Sequence, residues 1–346
     1  MEKHEDLKVV YYAPKDIRVE SFGEAPKPGD GEVLIKVEAC AICGSDIKTY
    51  LNGNPRMRPP AIIGHEFCGT IIETGRGVSQ YHAGQRVTMA TTMGCGECVY
   101  CRQGKTNICK NLQAMGFHCN GAMAAYTVVP ALAVAMGNIV DVGDLDAEIA
   151  ALSEPMSCAI NGLGRLPIQQ IKSALIIGIG ALGMMHALAL QEYGVENIIC
   201  VSSAGAKKDI MTKLGFAVIG RDEIEERYLE LSGGDGFDLI VITAPSNPVQ
   251  SEAIKYAKKG GYVSYFASLP PGSEMLSLNS RTLHYGELIL YGTSDSTAEH
   301  VRQAQVILSA RKEAFNKIIT TLPMKDFQRG IDGILDKSLA KVVLIP

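Results

Sequence analysis

The segment from Cys43 to Glu66 has the residue types of a metal site. It opens with the run CGSD at Cys43 and closes with GHE, which contains His65 and Glu66, and a polar loop rich in proline lies between. A thiol, an imidazole and a carboxylate are the donors that a divalent metal of intermediate softness prefers, zinc above all. Glu154, in the run SEP, is the best further anionic ligand. These residues therefore predict a zinc site.

The charges of these ligands limit what the metal can do. If Cys43, Glu66 and Glu154 all bound one dication, the ion would be a poor Lewis acid. We therefore expect the two glutamates to be a resting ligand and an exchangeable or water-mediated one, which keeps a position open for a substrate. The hydroxyl of Ser45 is expected to relay the substrate proton. The alternative is that Cys43 and His65 are an ordinary buried thiol and a satisfied core histidine.

A second cysteine cluster has the most specific spacing in the chain. Cys95, Cys98, Cys101 and Cys109 follow one another as C-x2-C-x2-C-x7-C, in a lobe of about residues 94–110. Four thiolates around one ion leave no open position, so this spacing predicts a structural zinc. An iron–sulfur cluster is the alternative, but its runs have a shorter last gap followed by proline. A chance cluster of buried thiols is the other alternative.

A glycine-rich turn predicts dinucleotide binding. The run GIGALG places Gly178, Gly180, Leu182 and Gly183 directly after the apolar run 173–177 and before a helical pattern. In this strand-turn-helix context the glycines let the backbone approach a pyrophosphate, whose charge lies at the helix N-terminus.

The end of the next predicted strand bears on the choice of nucleotide. An acidic residue there would bind the ribose diol of NAD, but this chain has Ser202 at that position. Nothing there repels a 2′-phosphate, and Ser203, Lys207 and Lys208 offer groups that can bind one. The residues slightly favour NADP over NAD, the alternative being that the lysines are a solvated helix start.

These residues need two kinds of domain to position them. Residues 1–153 show short apolar runs broken by glycine and proline, which indicates a β-rich domain. Residues 154–293 alternate buried-strand runs with helical patterns, which predicts a doubly wound parallel sheet. Residues 294–346 end in a strand-like run at 341–345 and are expected to return to the first domain. The predicted fold class is α/β.

Composition limits the classes of partner. The chain has 346 residues, a net charge of −4 and a pI of about 6.0, so there is no electrostatic reason to expect nucleic acid or a membrane. The first residues are charged and lack the apolar stretch of a secretory signal. The 10 cysteines then indicate thiols and metal ligands of a cytoplasmic protein and not a disulfide framework.

The motif G-H-E-x2-G-x5-G-x2-V, from Gly64 to Val78, resembles the signature of the zinc-containing medium-chain dehydrogenase/reductase family. The CGSD run is similar to that of the sorbitol (iditol) and polyol dehydrogenase branch. The resemblance implies a GroES-like β-rich catalytic domain and a Rossmann domain. It implies two zinc ions per subunit and a homodimer or homotetramer, paired through the run 287–292. The resemblance assigns four residues to the catalytic zinc: Cys43, His65, Glu66 and Glu154. It assigns Thr243 and Ala267 to the nicotinamide half of the nucleotide, and Tyr50 and Phe117 to the substrate.

The expected function is hydride transfer between NAD(P) and a secondary alcohol that is a polyol, a cyclitol or sugar-derived. The polar loop 52–58 suits such a substrate, although its arginines, Arg56 and Arg58, are also explained as surface charges. A zinc-free quinone or enone reductase of the same fold is one rival. A non-catalytic NADP-binding redox sensor with a zinc–thiolate lobe is the rival from another class.

Overall fold

The computed structural model of the protein describes residues 6–202 and 205–346. The chain divides into two compact units. The first unit runs to Ser157 and also includes Asp295–Pro346, and the second unit is Cys158–Ser294.

The strands of the described residues are numbered in chain order. They are β1 (Leu7–Ala13), β2 (Asp16–Ser21), β3 (Val33–Ala41), β4 (Ala61–Ile62), β5 (Glu66–Thr74), β6 (Arg86–Met89), β7 (Thr92–Met93), β8 (Gln113–Ala114), β9 (Tyr126–Val129), β10 (Ile139–Asp141), β11 (Ser173–Ile177), β12 (Asn197–Val201), β13 (Ala217–Ile219), β14 (Phe237–Ile242), β15 (Ala257–Tyr265), β16 (Ile289–Tyr291), β17 (Ile319–Pro323) and β18 (Lys341–Ile345).

The α-helices are numbered in the same way. They are α1 (Gly44–Asn52), α2 (Val99–Arg102), α3 (Ala131–Ala135), α4 (Ala147–Ala150), α5 (Ser153–Leu163), α6 (Ala181–Glu192), α7 (Ala206–Lys213), α8 (Arg221–Ser232), α9 (Asn247–Glu252), α10 (Ser280–Gly286), α11 (Ala298–Ala310), α12 (Lys312–Ile318) and α13 (Phe327–Leu335).

The first unit is built on a largely antiparallel sheet. Its strands lie in the order β10-β6-β5-β3-β18-β17, and β9 also pairs with β3. A three-stranded sheet, β2-β1-β4, and the β7-β8 pair complete its strands. A large core of this unit consists of aliphatic, methionine and phenylalanine side chains, among them Phe67 and Phe327. This architecture confirms the prediction that the domain is β-rich.

The C-terminal strand lies within the sheet of the first unit. β18 runs antiparallel to β3, with Val343 opposite Ala41, and parallel to β17. Its residues Val342 to Leu344 are buried because the strand lies between two neighbours. Lys341 is brought by this pairing to the end of β3, where α1 begins.

One glycine fixes the approach to the metal-site segment. Gly64 has a φ of +88°, and a Cβ at this position would lie 2.8 Å from the Cβ of Met123. Both the left-handed backbone and the close contact therefore require glycine. The turn at Gly64 directs the next two residues, His65 and Glu66, into β5.

The second unit is a parallel sheet in the order β13-β12-β11-β14-β15-β16. The chain starts at β11, moves outward to β12 and β13, and then returns to the other side of β11 with β14. Strands β11 and β14 are buried along their whole length, as expected for a sheet with helices on both faces. The arrangement confirms the predicted Rossmann domain and has its switch point between β11 and β14.

Residues 174–190 are almost entirely apolar in sequence, with His186 as the polar exception. They form most of β11, the glycine turn and most of α6. Among the described residues, no helix combines the length and the apolar character that crossing a membrane requires.

Candidate metal and cofactor sites

The first unit brings together Cys43, His65 and Glu66. A sulfur, a ring nitrogen and a carboxylate oxygen of these residues all lie within 4.8 Å of one another. Cys43 is the N-cap of α1, and its backbone N–H donates to Oδ2 of Asp46 at 2.9 Å. His65 precedes β5 and Glu66 begins it. The end of β3 and the start of β5 are neighbours in the sheet, which explains why these residues meet.

The surroundings of this cluster favour a cation. His65 and Glu66 are buried, Cys43 is half-buried, and Nδ1 of His65 has no hydrogen-bond partner among the described residues. Burial alone would lower the pKa of His65, but the negative charges of Cys43, Asp46 and Glu154 raise it well above its usual value. An unpaired imidazole nitrogen among anions is a fitting environment for a divalent metal.

Glu154 lies beside this three-residue cluster but is not one of its members. It is in the first turn of α5 and is buried, and the hydroxyl of Thr91 donates to its Oε1 at 3.4 Å. Burial, with the charges of Glu66 and Asp295, raises the pKa of Glu154 to about 7. Glu154 is close enough for its charge to act on His65 and Glu66, and its exchangeable role at the metal stays a prediction.

Lys341 is a charged group at this site that sequence reasoning missed. The side chain is 5% exposed, its Nζ donates to the backbone oxygen of Ile42 at 2.9 Å, and it forms an ion pair with Glu66. Burial would lower the pKa of Lys341, but the charges of Glu66 and Cys43 raise it. Lys341 therefore offsets part of the negative charge of the predicted ligands. A lysine at the start of an apolar strand is only a weak sign of a buried charge. The sequence also does not show which strand lies beside it.

Ser45 lies in the first turn of α1, two residues after Cys43. Its Oγ is buried and has no hydrogen-bond partner among the described residues. A buried hydroxyl without a partner is costly unless another molecule completes its bonding. The predicted role of Ser45 in proton relay is compatible with this position.

The four cysteines of the lobe form the second cluster. The sulfurs of Cys95, Cys98, Cys101 and Cys109 lie within 4.8 Å of one another. Backbone N–H groups of Cys95 and Asn111 donate to the Cys109 sulfur at 3.2 and 3.3 Å. Hydrogen bonds from the backbone at Cys101 and Lys110 lower the pKa of Cys98 to about 6. Four thiols supplied with N–H donors suit a closed tetrahedral zinc site.

The second unit has the glycine turn of a nucleotide site. Gly178 has a φ of +103°, and a Cβ on Gly183 would lie 2.0 Å from the oxygen of Gly178. Gly180 is the N-cap of α6, and Leu182 is in its first turn. Only glycine permits this close passage between the end of β11 and the helix, which leaves the helix N-terminus open to an anion.

Two predicted nicotinamide contacts lie beside this turn. The hydroxyl of Thr243 donates to the oxygen of Gly178 at 2.7 Å. The backbone N–H of Ala267 donates to the oxygen of Ile242 at 3.0 Å. Both residues follow strands that lie on the same side of β11, so the parallel sheet brings them to its carboxyl edge.

The residues predicted to select the nucleotide follow β12. The backbone N–H of Ser202 donates to the oxygen of Ile219 at 3.0 Å. Lys207 and Lys208 are half-buried in the first turn of α7. Ser203, the other predicted contact, lies outside the described residues.

The predicted substrate residues Tyr50 and Phe117 have different surroundings. Tyr50 is in α1 and packs against the core of the first unit. Phe117 is half-buried, with its ring centre 5.0 Å from that of His65. The guanidinium of Arg56 stacks on the same ring at 4.3 Å. Phe117 therefore lies directly beside the metal-site cluster.

Comparison with known proteins identifies the family. Residues 29–138 match the model of the alcohol dehydrogenase GroES-like domain, and residues 181–309 match that of the zinc-binding dehydrogenases. An L-threonine 3-dehydrogenase of Bacillus velezensis is 31% identical over 331 residues, covering 93% of each chain. An L-galactonate-5-dehydrogenase of Escherichia coli is 25% identical and covers 86% of each chain.

A solved structure supports the same conclusion. A zinc-binding dehydrogenase of Sinorhizobium meliloti bound to NADP superposes with a TM-score of 0.88 at 26% identity, over 99% of this chain and 100% of that one. The resemblance to the family is thereby confirmed, while the relatives act on different alcohols and do not single out the polyol branch. The chain belongs to the zinc-containing medium-chain dehydrogenase/reductase family and is a zinc-dependent dehydrogenase that uses NAD(P).

Proposed function

We propose that the protein oxidises a secondary alcohol of a polyol, cyclitol or sugar-derived molecule, or reduces the corresponding ketone, at the Cys43–His65–Glu66 site. The observation that carries the proposal is the cluster of these three donors within 4.8 Å, with a second glutamate beside it. Three protein ligands and an exchangeable carboxylate suit a catalytic zinc better than a closed structural one.

Zinc held there would polarise the substrate oxygen and lower the pKa of the hydroxyl. Cys43 and His65 would hold the ion, while Glu66 and Glu154 share the roles of resting and exchangeable ligand. The hydroxyl of Ser45 accepts the substrate proton and passes one on toward solvent. A bound nucleotide would take up the hydride from the carbon that carries the hydroxyl, so that the products would be a ketone and the reduced nucleotide.

We assign the nucleotide to the glycine turn of the second unit, with NADP slightly favoured over NAD. Gly178, Gly180, Leu182 and Gly183 would contact the pyrophosphate, and Thr243 and Ala267 the nicotinamide half. Ser202 carries no negative charge, so it does not repel a 2′-phosphate, and Lys207 in α7 can attract one. We also assign Ser203 to the residues that bind the 2′-phosphate. The Sinorhizobium meliloti relative is bound to NADP.

The proposed substrate class rests on the polar loop and on the relatives. Threonine and galactonate, the substrates in the names of two relatives, are polar molecules with secondary hydroxyl groups. Tyr50 and Phe117 would line the substrate side of the site. We further propose two zinc ions per subunit, the second in the four-cysteine lobe.

The test is a steady-state screen on zinc-replete protein. Polyols, cyclitols and sugar-derived alcohols are offered with NAD and NADP in parallel, for the wild type and for Cys43→Ala. We expect turnover by the wild type and its loss in Cys43→Ala, together with one zinc ion, while nucleotide binding is kept. Cys158→Ala is the matched control, since Cys158 lies outside both clusters. Activity retained by Cys43→Ala would refute the assigned site.

A further inference from the structure

Arg56 places a positive charge close to the proposed metal site. Its guanidinium carbon is 4.3 Å from the ring centre of Phe117, and that ring centre is 5.0 Å from that of His65. The guanidinium carbon therefore lies no more than about 9 Å from the centre of the imidazole ring. Its cation–π contact with Phe117 links Arg56 to the site. A short carbon chain is long enough to span this separation.

The loop that carries Arg56 is fixed on both sides of the residue. The side-chain oxygen of Asn54 accepts from the backbone N–H of Arg56 at 3.1 Å, and its amide donates to the hydroxyl of Thr49 in α1 at 3.3 Å. The next residue, Met57, is buried in the core of the first unit. Arg56 is thus held at a defined place although it is itself exposed.

The charge of Arg56 is not neutralised by the protein. Among the described residues no carboxylate lies within ion-pair distance of its guanidinium, whereas the exposed Arg18, Arg76 and Arg221 each pair with an acidic residue. Stacking on Phe117 occupies a face of the planar guanidinium. Its N–H donors point outward from the edge of the plane, where they match the geometry of a carboxylate or phosphate.

We propose that the substrate alcohol carries an anionic group, a carboxylate or a phosphate, and that Arg56 binds this group while the hydroxyl to be oxidised lies at the metal site. The inference rests on the proposed function and narrows its substrate class. A neutral polyol would accept only ordinary hydrogen bonds from Arg56, whereas an anion forms charge-assisted and bidentate ones.

The chain offers a matched control two residues away. Arg58 is also exposed, belongs to the same loop and has the same charge, but it has no ring contact among the described residues. If only the general charge of the loop attracts anions, Arg58→Gln and Arg56→Gln should behave alike. If the stacked position matters, only Arg56→Gln should lose the preference, and Arg56→Lys should retain a part of it.

The experiment compares each variant on matched compounds. These are sorbitol, gluconate and sorbitol 6-phosphate, together with the equivalent neutral, carboxylate and phosphate forms of shorter polyols. Each compound is assayed with both nucleotides on zinc-replete protein. We expect the wild type to prefer the carboxylate or the phosphate form over the neutral one. Comparison of the carboxylate with the phosphate compounds shows which of the two anions is preferred. Arg56→Gln should lower kcat/KM for that form roughly 10- to 100-fold, mainly through KM, and change the neutral form less than about twofold.

Calorimetry on the same proteins provides a readout that does not depend on turnover. The anionic compounds should bind the zinc-loaded wild type and Arg58→Gln alike, and Arg56→Gln at least about tenfold more weakly. Equal binding by all variants, no binding, or an equal loss for neutral and anionic compounds overturns the inference. Absence of turnover by every compound, with the binding difference intact, refutes the proposed function and leaves the anion site standing.

Discussion

At the scale of single residues, the pair of Lys341 and Glu66 governs the charge of the proposed metal site. Three anionic ligands around one dication would give a net negative site and a poor Lewis acid. The buried ammonium group of Lys341, paired with Glu66, reduces that negative charge without occupying a coordination position. Because Lys341 also donates to the oxygen of Ile42, the ion pair joins β18 to the end of β3.

Replacing Lys341 tests this pairing. Lys341→Met leaves the Glu66 carboxylate buried without its partner, so we expect the free energy of unfolding to fall by about 3 kcal/mol. The double variant with Glu66→Gln should recover part of this loss, because the unpaired charge is gone. Denaturant unfolding of the four proteins measures the coupling. Additive effects of the two substitutions would show that the pair contributes nothing as a pair.

The residues of the site differ in how far sequence could predict them. Cys43, His65 and Glu66 belong to a local motif, and the structure brings their donor atoms together. Lys341 is 275 positions from its partner, and its pairing depends on the place of β18 in the sheet. Arg56 was visible as an arginine in a polar loop, but its stacking on Phe117 depends on tertiary structure.

At the scale of elements, Asp238 joins two central strands of the second unit. Its Oδ2 accepts from the backbone N–H groups of Lys172 and Ser173, each at 2.8 Å, and its carboxylate pairs with Lys258. Burial would raise the pKa of Asp238, but the amine of Lys258 and these N–H groups hold it below its usual value. The carboxylate thereby fixes the starts of β11 and β14.

Asp238→Asn should weaken this junction. An amide replaces a charged acceptor of several hydrogen bonds, so we expect a loss of about 2 kcal/mol in the free energy of unfolding at neutral pH. Because the folded pKa is lowered, the stabilisation is present above the unfolded pKa of about 4 and is lost as the pH falls through the folded value. The difference in Tm between the two proteins should therefore be largest at neutral pH and should shrink as the pH falls below about 4. The exposed Asp235→Asn is the control and should match the wild type throughout.

The cysteine lobe is a second element whose stability can be tested. A small lobe with two short helical turns has little core of its own, so a metal contributes much of its order. Cys98→Ser should remove one zinc ion of the two proposed and lower Tm by roughly 5 to 10 °C. Metal analysis and calorimetric scans measure both, with Cys158→Ser as the control. An unchanged metal content would contradict the closed site.

Elements with strong local patterns were predicted with the right bounds. The apolar runs at 173–177 and 197–201 are β11 and β12 as observed, because parallel buried strands read as continuous apolar segments. The sequence also predicts a helix over Pro248–Lys258, and this prediction fits less well, since α9 ends at Glu252 and β15 begins at Ala257. Pairing of Ala257 with Phe237 extends the strand into that pattern. Tertiary pairing overrides local propensity there.

At the scale of the whole molecule, the alternation of strands and helices was enough to predict the Rossmann unit. The first unit was predictable only as β-rich, since its sheet joins β3, β5, β9 and β18, which are far apart in sequence. Such nonlocal pairings leave no periodic signal in any one segment. The family resemblance supplied the GroES-like architecture, and the comparisons with relatives confirm it.

The edge of the second unit's sheet bears on how subunits assemble. β16 is the outer strand of the second unit's sheet, and Ile289 on it is 48% exposed. An apolar edge strand is a template for pairing, so we propose that two subunits join there into a dimer or a dimer of dimers. Ile289→Lys should therefore reduce the mass found by light scattering at least twofold, because a charge opposes burial of the edge. Leu229→Lys, at a similarly exposed position on α8, should leave the mass unchanged. A wild type that is already monomeric would refute the proposal.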